Sequence, residues 1–199
     1  MELSRLKSIQ ERLVKKLVLE DRIGKLELVA GFDQAFRGKQ IISAGVLCRW
    51  PDFEPVEMVT ATVKEKMPYI PGYLSFREGP AILKAYKKLK LKPDLILIDG
   101  NGILHPRKLG LASWVGIKLE KPTIGVAKSL LCGKVRGEWI FVNGEKRGYY
   151  LKSKRLYISP GNLISLETAV KLIKLSIKNR LPEPLRLADR YAKDKARVS

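Results

Sequence analysis

Three carboxylates set the chemical question. Asp99 closes the unbroken apolar run Leu95–Ile98 and is followed by Gly100-Asn101-Gly102. Asp33 closes a similar climb, LELVAGFD over residues 26–33. Glu78 comes between them, ending MPYIPGYLSFRE over residues 67–78, where a helix is expected to begin. Three acids on three separate elements, two at the ends of expected strands, are the donor set of a divalent-cation site. Hard cations such as Mg2+ take oxygen ligands and are commonly held by one or two carboxylates plus substrate phosphates. For Asp99 alone, capping a turn ahead of glycine accounts for the residue equally well. The same design at Asp33 tips the balance to a metal.

The composition bounds what such a site acts on. Lys plus Arg number 39 against 20 for Asp plus Glu, a net charge of +19 with a pI near 10.0. An excess of that size favours a polyanionic partner, nucleic acid before anionic membrane. Part of it is also what a thermophile surface rich in lysine carries, and only four Asn and three Gln occur. No apolar run approaches membrane-span length and the amino terminus has no signal-peptide core, so no membrane partner and a cytoplasmic location are expected. Cys48 and Cys132 stand apart from any CxxC or Cys/His spacing and read as reduced and structural.

The elements that must position the acids follow from the apolar pattern. Ser4–Glu20 has helical spacing of Leu6, Ile9, Leu13 and Leu17 with a basic opposite face. Leu26–Asp33, Ile41–Trp50 and Val56–Lys64 read as three strands of an antiparallel meander, with a turn at Gln34–Lys39. Pro68 and Pro71 then flank Tyr69-Ile70, where neither strand nor helix can run through, so a rigid loop presents an aromatic ring. A helix is expected over Phe76–Leu89, with Pro80 tolerable only in its first turn. Leu95–Asp99 is a strand buried on both faces, delivering Asp99 to a site mouth at its carboxyl end. Leu109–Leu119 is a short helix, and Thr123–Ala127 a strand that brings Lys128-Ser129 to the same edge. Asn143-Gly144 marks a hairpin between Glu138–Val142 and Gly148–Leu151. A short strand Leu156–Ile158 and helices Ser165–Asn179 and Glu183–Lys193 close the chain, with a loose tail from Lys193. No repeat or linker divides residues 1–199, which read as a single domain.

The Gly100-Asn101-Gly102 loop is not a dinucleotide loop. Position 105, where the third glycine belongs, is His105, and an acid directly before the loop repels phosphate unless a cation lies between them. Walker, GxSxG and HExxH motifs do not occur. Three meander strands, then helix, strand, helix, strand and closing helices, with acids on the first and fourth strands, follow the plan of a ribonuclease H-like α/β fold. That plan is a mixed sheet, meander plus parallel strands, flanked by helices.

The segments MPYIPGYLSFRE, LILIDGNGILHPRKLGLAS, PTIGVAKSLLCG and RLPEPLRLAD, in that order, resemble endonuclease V from about Leu28 to Asp189. The resemblance implies a magnesium-dependent nuclease, with Mn2+ as a substitute, acting on DNA that contains deoxyinosine, the product of adenine deamination. The cut implied is at the second phosphodiester bond 3′ to the lesion, leaving 3′-hydroxyl and 5′-phosphate ends. It implies Asp33, Glu78 and Asp99 as the catalytic, metal-binding acids and Lys128 as a catalytic phosphate-region lysine. It implies Pro68, Tyr69, Ile70 and Pro71 as a wedge in the DNA, and Gly72, Leu74, Gly100, Gly110, Leu111 and Gly125 as the lesion pocket. His105 matches a substrate-proximal histidine; Asp189 stands where some members carry a metal-proximal histidine, a departure that bears on how a second metal is held. Two other readings stay open here: an inosine-specific endoribonuclease of the same fold, and a non-catalytic nucleic-acid-binding module. A monomer is expected.

Overall fold

The computed structural model describes residues 3–197. Its element order is α1 (Leu3–Leu13), a 3-10 turn (Val14–Lys16), β1 (Leu28–Arg37), β2 (Gln40–Arg49), β3 (Pro55–Lys64), α2 (Leu74–Lys88), β4 (Leu95–Asp99), α3 (Leu111–Leu119), β5 (Thr123–Ala127), β6 (Lys134–Arg136), β7 (Trp139–Val142), β8 (Glu145–Leu151), β9 (Leu156–Asn162), α4 (Leu166–Ser176) and α5 (Glu183–Arg197). Nine strands form one mixed sheet in the order β3-β2-β1-β4-β5-β9-β8-β7-β6. β1, β4 and β5 are mutually parallel neighbours and the remaining pairs are antiparallel.

The unbroken apolar run of β4 has the reason anticipated for it. Leu95 and Leu97 pack with Ile173 of α4 and Leu185 of α5, while Ile96 and Ile98 pack with Ile82 of α2 and Val115 of α3. Alternate side chains point to opposite faces of a strand, so both faces must be apolar when helices cover both. The architecture is therefore a three-layer α/β/α sandwich.

Several boundaries differ from expectation. β1 does not end at Asp33 but runs on to Arg37, because its antiparallel pairing with β2 continues to Arg37↔Gln40. Its parallel partner β4 stops at Asp99, directly after the Phe32↔Ile98 pair. Asp33 thus sits mid-strand, at the level where the sheet loses one neighbour. α2 starts earlier than expected, at Leu74, so Glu78 lies in its second turn and Pro80 inside the helix. Pro80 has no N–H to give Phe76, a local loss the packed apolar face of α2 outweighs. α1 ends at Leu13 rather than Glu20, since Val18 pairs with the end of β9: Leu163 N donates to Val18 O at 2.7 Å and Val18 N to Asn162 Oδ1 at 3.1 Å. β9 extends to Asn162 with Pro160 at a register shift of β5, where its missing N–H disturbs no ladder. The segment from Lys193, expected loose, continues α5 to Arg197. Buried Ala192 and the i,i+4 pairs Asp189–Lys193 and Arg190–Asp194 hold it helical.

Candidate active site

A single cavity of about 480 Å³ gathers most of the singled-out residues. β1 supplies Asp33, β4 Asp99, α2 Glu78, and the residues after β5 supply Lys128 and Ser129. Tyr69, Pro71, Gly72, Leu74, Gly100, His105, Gly110 and Leu111 also line it.

The acids are under-compensated. One Asp33 oxygen accepts from Gln34 N at 2.7 Å; the other, Oδ2, is buried without a donor, and the Asp189 carboxylate stands close enough to share a hydrogen with a protonated Asp33. Burial, and then the charge of Asp99, push the Asp33 carboxyl up to about 8. Glu78 is raised to about 7, again by burial first; Arg77 opposes the shift and Asp99 and Glu65 add to it. A shift of this direction means that placing negative charge here is costly without added positive charge. Lys128 supplies some of it, with Nζ 2.5 Å from Asp99 Oδ2 and 4.0 Å from Asp189 Oδ1. Burial works against the Lys128 ammonium, but Asp99, Asp33 and Asp189 outweigh it and raise its pKa. At Asp189 burial is likewise outweighed, by the Lys193 hydrogen bond and the nearby ammonium charges, and its carboxyl lies below the usual range. Asp189 is therefore brought to the acids from α5, although it does not line the cavity. Among the described residues no three His, Cys, Asp or Glu side chains stand close enough to enclose a metal by themselves.

Two more unpartnered buried polar atoms, Ser75 Oγ and Asn101 Oδ1, belong to residues of the same cavity. The loop between β4 and α3 is bent tightly by close approaches: a Cβ on Gly125 would lie 2.4 Å from Gly102 N, and one on Gly110 2.3 Å from Asn101 O. Gly125, expected in the pocket, and Pro68 and Ile70 of the wedge stand outside the cavity's lining. Tyr69 is 60% exposed, with the Arg77 guanidinium 5.9 Å from its ring centroid and 4.4 Å from that of Phe36. Arg77 Nε donates to Glu65 at 2.9 Å, and its Nη1 is 3.5 Å from Glu78.

A family model for Endonuclease V matches residues 11–190. The chain belongs to the endonuclease V family. Endonuclease V of Rippkaea orientalis is 46% identical over 96% of this chain and 90% of its own. The catalytic domain of human endonuclease V superposes with a TM-score of 0.89 at 31% identity, covering 98% of this chain and 96% of that one. Endonuclease V of Ciona intestinalis, crystallised with a 24mer DNA containing an inosine followed by a ribo-adenosine, gives 0.88 at 29% identity, covering 98% of both chains. The family makes the protein a nuclease, a hydrolase of DNA repair, and its fold that of the solved endonuclease V structures.

Sequence reasoning passed over four residues that this endonuclease V fold places at the site: Phe36, Arg77, Gln34 and Asn101. Arg77 was signalled only by adjacency to Glu78. Phe36 follows Asp33 by three residues within an expected turn, and became visible once β1 proved longer.

Proposed function

We propose that the protein is a Mg2+-dependent endonuclease, with Mn2+ as substitute, that recognises deoxyinosine in DNA and hydrolyses the second phosphodiester bond 3′ to it. The products are 3′-hydroxyl and 5′-phosphate ends. The observation that carries this reading is the unpartnered Asp33 oxygen among raised carboxyls in a cavity rimmed by an exposed tyrosine. The donor chemistry fits a hard divalent cation: oxygen ligands short of positive charge, with substrate phosphate oxygens to complete a shell that the protein leaves open. When bound, such ions activate water near neutral pH and stabilise charge on the leaving oxygen.

The chain's own residues do the rest. Asp33 and Asp99 would hold the cation, and Glu78 would add to the shell or orient the attacking water. Lys128, which in the free protein serves as counter-ion to Asp99, is the cation that would neutralise the scissile phosphate. Asp189 keeps Lys128 and the acids in register from α5. The stiff Pro68-Tyr69-Ile70-Pro71 loop wedges Tyr69 into the stack as the base leaves it, a step costing a few kcal/mol and less for a mispaired base. Gly72, Leu74, Gly100, Gly110 and Leu111 receive the base, with Gly125 permitting the loop's close packing and His105 fixing the wall beside Gly72.

The inosine assignment is supported by the Ciona relative's complex. Because inosine there precedes a ribo-adenosine, inosine-containing RNA is the second substrate to test. No helix among the described residues is long and apolar enough to cross a membrane; we infer a cytoplasmic monomer. The deciding experiment maps cut positions on DNA and RNA strands carrying one inosine, with Mg2+ or with EDTA. A Mg2+-dependent cut between the first and second nucleotides 3′ to the inosine in DNA supports the reading. Cleavage independent of the inosine, or unaffected by EDTA, overturns it.

A further inference from the structure

One backbone oxygen at the cavity rim is held from three directions. The Gly72 carbonyl accepts from Gln10 Nε2 at 2.9 Å, Arg107 Nη2 at 3.0 Å and His105 Nε2 at 3.0 Å. The donors are cross-braced, since Arg107 Nε donates to Gln10 Oε1 at 2.5 Å and the guanidinium lies 4.6 Å from the Tyr73 ring centroid. His105 Nδ1 accepts from Arg107 N at 3.0 Å, so Nε2 carries the proton that Gly72 receives. A carbonyl has two lone pairs, and three donors (an amide, a guanidinium and a neutral imidazole) over-determine where it sits.

Gln10 is the unexpected member. It comes from α1, 62 residues away in sequence, and is 0% exposed. α1 buries only Leu6 and Gln10, so much of its inward face is an amide whose donor is spent on Gly72, in the loop that carries Tyr69, and whose acceptor is spent on Arg107. Burying an amide costs unless its bonds are made, which favours a site where the bonds themselves serve a purpose. We propose that Gln10 is a positioning residue: through the Gly72 carbonyl and Arg107 it fixes the Tyr69–Gly72 loop on the cavity rim, and so sets discrimination between inosine and adenine. The discrimination part rests on the inosine-directed reading above; the loop part does not.

The test uses Gln10→Glu, which keeps an acceptor for Arg107 but cannot donate to Gly72, with Gln10→Leu and, as control, Ile173→Ala, which weakens the core under α4 away from α1 and the network. Three quantities are read on each: hydrogen exchange at the Tyr73 amide, which donates to Ile70 O at 3.0 Å; the inosine-to-adenine affinity ratio in Ca2+; and Tm. Losing one such bond is expected to speed Tyr73 exchange and lower the affinity ratio by roughly 3- to 10-fold in Gln10→Glu. Its kcat at saturating substrate should hold, and Gln10→Leu should lose more of the ratio. Ile173→Ala should lower Tm and leave the ratio alone. Unchanged Tyr73 exchange in Gln10→Glu, or an Ile173→Ala ratio as low as that of Gln10→Glu, overturns the proposal. A wild type without inosine preference overturns the functional reading instead, and the exchange result still judges Gln10.

Discussion

The two walls of the cavity are built on opposite terms. On the wall around Gly72 the polar groups are satisfied: Gly72 O has three donors, both His105 nitrogens are engaged, and Arg147 Nη1 donates to His105 O at 3.0 Å. Burial, aided by Arg107 and Arg147, holds His105 down at about 4, so it is neutral and serves as a fixed donor rather than a proton shuttle. The acid wall is the reverse. Asp33 Oδ2 has no donor, Lys128 is shared between Asp99 and Asp189, and Arg77 is shared between Glu65 and Glu78. Native proteins leave few buried polar groups unpaired, so an exception calls for a function. The contrast separates two tasks. The satisfied wall fixes a shape before anything binds, and the acid wall stores a deficit of positive charge that added cations can fill.

The largest break in this contrast comes from removing an acid. Asp33→Ala or Asp99→Ala is expected to lower cleavage in Mg2+ by at least roughly 10³-fold if the two acids hold the proposed cation, on which several kcal/mol of transition-state stabilisation would depend. Circular dichroism should show the fold intact, and inosine DNA should still bind in Ca2+. Normal turnover by either variant in Mg2+ would show that the deficit has nothing to do with metal.

The next effect is on stability and has a definite sign. Asp33 and Glu78 titrate near 8 and 7 in the folded protein, against ordinary values of 3.8 and 4.5. Between those limits the unfolded chain has lost protons that the folded chain keeps, so ionisation favours unfolding as pH rises. Metal-free protein should therefore lose stability from about pH 4 to pH 8, at up to about 1.4 kcal/mol per pH unit for each carboxyl. Asp33→Asn should flatten much of that slope and melt higher than wild type at pH 8 without metal. Mg2+ should raise the wild-type Tm, more at pH 8 than at pH 6, because it displaces the retained protons. Melting curves across this range check it; a flat wild-type profile would mean the acids are compensated after all.

How much of this was legible in the sequence follows the same division. The acid wall could be read because strands buried on both faces announce themselves: Leu95–Asp99 and Thr123–Ala127 were placed to the residue, and the carboxyl ends of parallel strands point to a site. Where pairing rather than pattern decides an end, reading failed. β1 runs past Asp33 on the strength of β2, and α1 stops short because Val18 pairs with β9's end. β6 was missed altogether, its three residues all exposed and without an apolar pattern. The Gly72 wall was the least legible. Gln10, His105 and Arg107 meet one carbonyl from distant segments, and no spacing within any of those segments signals that they do.

Tyr69 gives the smallest expected effect, and tests whether the boundary between the walls is itself functional. Its ring is 60% exposed and touched from the acid side by Arg77, at 5.9 Å, while its loop ends at the over-determined Gly72. A ring so exposed contributes little to the core, and a cation 5.9 Å away at an exposed site gains on the order of 0.5 kcal/mol. Tyr69→Ala should accordingly move Tm by no more than a degree or so, in line with surface substitutions of about 0.5 kcal/mol. If the ring fills the gap left by an extruded base, the loss appears instead in recognition. Base–aromatic stacking is worth roughly 1–3 kcal/mol, or about 5- to 150-fold in the inosine-to-adenine affinity ratio. Non-specific affinity, carried by Lys and Arg at phosphates, should stay near the wild-type value. Measuring Tm and the affinity ratio on the same variant separates the two accounts: a lower Tm with discrimination kept makes Tyr69 a packing residue, and a ratio unchanged from wild type removes the wedge.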